Sequence, residues 1–207
     1  MYDSGVPQSS RQRLLEAAIA IIDESGEAGL HVREVAAAAG LSVAMVRHYF
    51  TDREGLVTAA RAEQYRRSMF VSLPELTRIL ADAKSVEDLK STVRPVFESF
   101  LNAEFFERRM SRASALGASY RRPDLARELE LIHRETSAAI GGILMIAQER
   151  GWLRPGLNPQ VACMLYYGII NSRVLIESWA DEDFQAEWNE LAIEAIFNMY
   201  FGPDHGK

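Results

Sequence analysis

Residues 29–56 read Gly-Leu-His-Val-Arg-Glu-Val-Ala-Ala-Ala-Ala-Gly-Leu-Ser-Val-Ala-Met-Val-Arg-His-Tyr-Phe-Thr-Asp-Arg-Glu-Gly-Leu. Two short helical patterns meet here at Gly40-Leu41-Ser42, the layout of a helix-turn-helix. The first pattern packs through Val32, Val35, Ala36 and Ala39, and Gly40 supplies the left-handed residue that ends it. Ser42 is placed to cap a second helix running from Val43 towards Tyr49. That helix is small at Ala44 and apolar at Val46 and Phe50. Met45, Arg47, His48 and Tyr49 are left to face outward. An outward row of cationic and aromatic groups suits the major groove of duplex DNA.

The rest of the chain sets the limits on this reading. The net charge of −6 argues at first against a nucleic-acid partner. Residues 1–70, however, hold 8 Lys/Arg against 9 Asp/Glu, and residues 71–207 hold 15 against 20. The DNA-facing end is therefore near neutral, and its basic footprint must be local, with Arg11, Arg13, Arg33, Arg47 and Arg53 as candidates. Two such heads acting together would supply the affinity that one lacks. The single cysteine, Cys163, forms no internal disulfide, which fits a reducing cytoplasm. The sequence has neither a run of about eighteen apolar residues nor a signal-peptide core, so neither a membrane partner nor export is expected.

Periodicity is helical nearly throughout, and no strand pattern stands out, which predicts an all-α fold. Residues 1–8 read as frayed. Ser9 and Gln12 form a capping box before a stripe at Leu15, Ala18, Ile19 and Ile22, and Gly26 and Gly29 end that helix. Thr51-Asp52-Arg53-Glu54 reads as a second capping box, opening a helix to about Phe70, and Pro74 breaks that helix or the segment just after it. Further helices are expected near 86–103, 105–119, 124–150, 159–180 and 184–200. Two domains follow: a head over residues 1–56, joined by a linking helix at about 53–70 to a body over 71–207.

From Val161 to Trp179 apolar side chains point in nearly every direction, so this helix must be covered on all sides. Together with the last helix it predicts an intermolecular four-helix bundle in a two-fold homodimer. The expected interface is Tyr166, Ile169, Ile170, Arg173, Ile176, Trp188, Leu191, Ala195, Ile196 and Met199. Polar groups scattered among apolar ones in the body suggest a cavity for a small ligand. Its expected lining is Phe106, Met110, Tyr120, His133, Met145, Cys163, Tyr167 and Asn171. Arg173 could pair with a ligand carboxylate, or with Glu177 one turn on, the more ordinary arrangement. Glu130-Leu131-Ile132-His133 has the spacing of a di-metal bundle motif, but the required second copy is missing. Neither a metal nor any other cofactor is expected, and Gly141-Gly142 reads as close helix packing rather than a phosphate loop.

The first fifty to sixty residues resemble the tetracycline-repressor (TetR) family of bacterial transcription regulators. The resemblance rests on Arg13–Ile22, on Val35-Ala36-Ala37-Ala38-Ala39-Gly40-Leu41-Ser42, on Ala44, Val46 and His48-Tyr49-Phe50, and on Arg53-Glu54-x-Leu56. It covers about a quarter of the chain by motif and the remainder only in layout. It implies a homodimer on a palindromic operator, released by a small-molecule effector and acting as a repressor rather than an enzyme. Three positions depart from the family pattern. His31 stands where a Ser or Thr commonly caps the second helix, Arg47 where a tyrosine is common, and Arg53 where a lysine commonly opens the fourth helix. The DNA-contact set is Arg33, Ser42, Val43, Ala44, Met45, Arg47, His48, Tyr49 and Arg53. The alternative is a helical-bundle enzyme or small-molecule carrier whose head binds no specific DNA.

Overall fold

The computed structural model describes residues 9–202, and every regular element among them is helical. The frayed start expected at residues 1–8 lies outside the described residues. The α-helices are α1 (Ser10–Ser25), α2 (Val32–Ala38), α3 (Val43–Phe50), α4 (Arg53–Phe70) and α5 (Leu73–Asp82), then α6 (Val86–Ser99), α7 (Phe106–Ser119), α8 (Pro123–Glu149), α9 (Pro159–Ser172) and α10 (Glu182–Phe201). Short 3₁₀ segments lie at Glu27–Gly29, Ala103–Phe105 and Arg173–Leu175. The chain divides into two compact units: Met1–Arg67 with Ala118–Leu129, and Ser68–Gly117 with Glu130–Lys207.

In the first unit, Ser9 Oγ accepts from Gln12 N at 3.2 Å, so the expected cap starts α1. The return half of the box is absent, because the Gln12 amide donates to Glu16 at 2.6 Å instead. The stripe Leu15, Ala18, Ile19 and Ile22 is buried together with Leu14 against Val35, Ala36, Val46 and Phe50. Gly26 and Gly40 end α1 and α2 at φ of 70° and 61°, a region that glycine enters without steric cost. His31 makes no side-chain cap on α2.

The entry to α4 differs from the expected box. Asp52 is the cap, its Oδ1 accepting from Gly55 N at 2.8 Å. Thr51 instead sits at φ 66° and ψ −60°, and Asp52 N bonds back to Phe50 O at 2.7 Å. This is a γ-turn with positive φ, a strained conformation for a β-branched residue. It brings Phe50 O so close that a Cβ on Gly55 would lie 2.1 Å from it. The capping-box spacing places the cap at Thr51, and the tight turn moves it to Asp52.

The second unit contains α5, which the sequence reading missed. Pro74, expected as a breaker, sits in the first turn of α5, where a missing N–H costs nothing. The helix expected over 159–180 ends at Ser172, followed by the 3₁₀ segment and turns. A segment apolar all round has no amphipathic phase to mark its end. Gly141 packs as expected, since a Cβ there would lie 3.0 Å from Gln160 Cγ, although Gly142 has open space.

Three arginines lie buried in this unit, a feature the sequence reading did not anticipate. Arg109 pairs with Glu177 and donates to Phe100 O at 2.6 Å and to Asn102 O at 3.1 Å. Arg112 donates to the Ser68 hydroxyl at 3.0 Å and to the Ser68 carbonyl. Arg173 donates to Asn189 at 2.9 Å and Gln185 at 2.7 Å on α10. The expected Arg173–Glu177 contact along one helix face does not form, because α9 has already ended and Arg109 holds the carboxylate.

Candidate nucleic-acid interface

The putting together of α2 and α3 is local. Leu41 N bonds to Ala36 O at 2.8 Å across the turn, and Ser42 Oγ accepts from Met45 N at 3.4 Å. Val46 and Phe50 anchor one face of α3 in the core, with Val43 and Met45 half-buried beside them. Ser42, Ala44, Arg47, His48 and Tyr49 are exposed, so one helix separates an anchoring face from an outward one. The His48 and Tyr49 rings meet edge to face with centroids 4.8 Å apart, which holds the two aromatics as a pair.

The five candidate cations separate by what they touch. Arg13 donates to Ala39 O at the end of α2, and the Arg11 guanidinium lies over the Phe50 ring at 5.3 Å. Arg53, expected at a phosphate, is also bonded within the head. Its Nε donates to Leu30 O at 2.9 Å, one terminal nitrogen bonds Glu27 O, and the other pairs with Glu54 at 2.5 Å. It therefore ties the α1–α2 connection to α4. Arg33 and Arg47 are exposed and, together with Arg53, line one surface hollow of about 280 Å³ with Val32, Val43 and Thr51. Three guanidiniums around one hollow suit the oxygens of a phosphate.

Ion pairs brace the head from behind. Arg67 binds Glu16 and Glu63, and Glu27 receives Arg61 at 2.9 Å and Arg122 at 2.6 Å. The Arg67 guanidinium holds the Glu16 carboxyl below its ordinary value. Burial pushes Glu27 up, but Arg122 and Arg61 outweigh it and leave that carboxyl low as well. The contribution of Arg122, from the turn before α8, is not visible in the sequence spacing.

The residues expected around a ligand do not converge. Phe106, Met110 and Met145 are exposed, and Tyr120 falls in the first unit with its side chain almost wholly in solvent. His133 is half-buried, and burial lowers its pKa. Cys163 and Tyr167 are buried, the thiol pushed up to about 12 by desolvation. The Tyr167 hydroxyl donates to Met69 O, and Asn171 accepts from Arg112 at 3.5 Å. A cavity of about 60 Å³ does form in the second unit, and none of these eight residues lines it. Its wall includes Leu76, Ile79, Val93, Phe97, Ile140 and Tyr166. Of the expected residues, Asn171 and Tyr167 contact the buried Arg112 instead, whereas the void opens where mostly carbon side chains meet.

The expected dimer residues divide. Tyr166, Ile170, Arg173, Ile176, Ile196 and Met199 are buried within the chain itself, and Ile169 and Trp188 are half-buried. Leu191 and Ala195 are exposed. The outward apolar face runs through Val161, Leu165 and Leu175 and, on α10, through Phe184 and Leu191. A helix apolar on every side cannot show by sequence which side stays uncovered.

Among the described residues no helix is long and apolar enough to cross a membrane. Nor do three or more His, Cys, Asp or Glu residues gather as a metal site there; Glu130 pairs with Arg134 instead.

Comparison with known proteins bears on the head and on the fold separately. Residues 14–60 match the model for bacterial regulatory proteins of the tetR family. The HTH-type transcriptional regulator BetI of Proteus mirabilis is 32% identical over 101 residues, covering 48% of this chain and 50% of BetI. The chain thus spans about half the length of that relative. Among solved structures, a Mesorhizobium loti protein assigned to the TetR family superposes with a TM-score of 0.68 at 19% identity, covering 93% of this chain and 96% of that one. SmeT, the repressor of the Stenotrophomonas maltophilia multidrug efflux pump SmeDEF, superposes at 0.57 with 20% identity over 96% and 93%. These likenesses show that the all-helical fold is shared over nearly the whole chain.

Proposed function

From the match of residues 14–60 to the model for bacterial regulatory proteins of the tetR family, we propose that this chain is a homodimeric repressor that binds a palindromic operator and is released by a small-molecule effector. The observation that carries this reading is α3. Its core face is anchored at Val46 and Phe50, while Arg47, His48 and Tyr49 stand in solvent with Arg33 on the rim of the same hollow. Arg47, His48 and Met45 read base edges. Arg33 and Tyr49, with Ser42, Val43 and Ala44 at the start of the helix, set its depth and register on the backbone. Arg53 acts from behind by fixing α4 against the head.

Two α3 helices must then sit about one helical turn of DNA apart, roughly 34–36 Å. The exposed apolar face of α9 and α10 is the surface proposed to join the two copies. An effector acts by binding the conformation that misses this spacing more tightly than the one that matches it. Helix α4 is continuous from Arg53 to Phe70 and is the covalent route for that change.

The test is selection of bound fragments from a random duplex pool, followed by footprinting. A palindromic site protected in two half-sites supports the proposal. No preference for any duplex over heparin at physiological salt refutes it.

A further inference from the structure

We propose that the cavity of the second unit receives an uncharged, wholly apolar ligand group of the size of a short alkyl chain or a single ring. This rests on the reading of the chain as a ligand-responsive regulator. The cavity measures about 60 Å³, several times the roughly 10–15 Å³ that admits one water. Protein interiors leave few voids of that size, and apolar ones stay dry and take up hydrocarbons. Its wall is drawn from α5, α6, α8, α9 and α10 and from Leu153 between α8 and α9, with carbon side chains throughout except for the Tyr166 and Tyr200 hydroxyls.

Neither hydroxyl offers a charge. The Tyr200 hydroxyl donates to Ala162 O at 3.5 Å, and burial holds both phenols neutral far above physiological pH. The buried arginines of this unit are absent from the lining. A carboxylate or ammonium entering here would lose its hydration and meet no partner, a penalty that apolar contact cannot offset. Leu76, Ile143, Leu144 and Phe201 are only half-buried, so the wall meets solvent at these four and a ligand has a way in. With no directional partners, affinity must scale with the apolar area buried.

The experiment titrates the full chain, without DNA, with n-alkanols from butanol to octanol and with the matching carboxylates at pH 7, following Tm. The expected result is a saturable rise in Tm with the alcohols. Apparent affinity should tighten about fourfold per methylene until the space is filled. The carboxylates should bind at least about tenfold more weakly. Ala147→Met fills the void and should abolish the shift. Leu144→Phe, at the half-buried rim, does the same should Ala147→Met fail to fold. A linear fall of Tm with every alcohol, carboxylates that match the alcohols, or a shift that survives both substitutions would overturn the proposal. Saturable alcohol binding that leaves a selected duplex bound upholds the cavity assignment and removes only the effector role.

Discussion

Arg47 shows how a single residue combines backbone placement with chemistry. Its neighbours Val46 and Phe50 are buried, so the helix cannot rotate to hide it, and among the described residues its side chain makes no hydrogen bond or ion pair. If it grips a guanine edge, Arg47→Ala should weaken binding to the selected duplex by about 1–3 kcal/mol and relax preference at that base. If it grips phosphate, all sequences should weaken alike and the salt slope should fall by about one. Unchanged binding in a salt titration rules out both. Gly55 makes a different point. The γ-turn at Thr51 sets Phe50 O within 2.1 Å of any Cβ there, so Gly55→Ala should cost about 1–3 kcal/mol in denaturant unfolding. Equal stability would mean that the turn relaxes freely. Glu177 is the third residue of this kind. Glu177→Gln leaves the buried Arg109 without its counter-charge, and a loss of about 3–5 kcal/mol is expected in the same assay.

At the scale of elements, α9 and α10 were legible as helices but not as surfaces. Ile196 is fully buried in its own chain, so a charge there would test folding rather than association. Leu165 and Leu191 are 53% and 60% exposed and separate the two effects. Replacing both with Glu should give folded monomers by sedimentation velocity, with helicity retained. Dimers that persist would place the interface elsewhere. The same lesson applies to α5. A proline signals a boundary, and only packing of Ile79 and Leu80 decides that a helix begins there rather than a loop. At Thr51-Asp52 the sequence contained the right kind of cap one residue away from where it was read.

Over the whole molecule, the charge of the head has a structural cause. The head is near neutral because its acids hold it together: Glu16 binds Arg67 of α4 and Gln12 of its own helix, and Glu27 binds Arg61 and Arg122. Both carboxyls lie below their ordinary value of 4.5 in the folded chain. Their contribution to stability is therefore full above about pH 4.5 and is lost as pH falls through the lowered values. A Glu16→Gln/Glu27→Gln variant should be less stable at neutral pH and show a shallower acid limb. Parallel acid limbs in urea midpoints measured from pH 3 to 7 would mean that these pairs carry no linkage.

What the sequence determined by itself is what depends on neighbours along the chain: helical period, the Gly40 turn, the Ser9 and Ser42 caps, and the outward row at Arg47-His48-Tyr49. These arise from bonds and contacts within a few residues, so spacing encodes them. The tertiary structure alone decided which cations remain outward, which apolar face stays uncovered, and where a void opens. Arg13, Arg53, Arg109 and Arg122 find partners 26, 23, 68 and 95 positions away, at Ala39, Leu30, Glu177 and Glu27. A guanidinium reads identically in sequence whether it meets a carbonyl, a carboxylate or DNA, because its fate depends on groups that only folding brings within 3 Å.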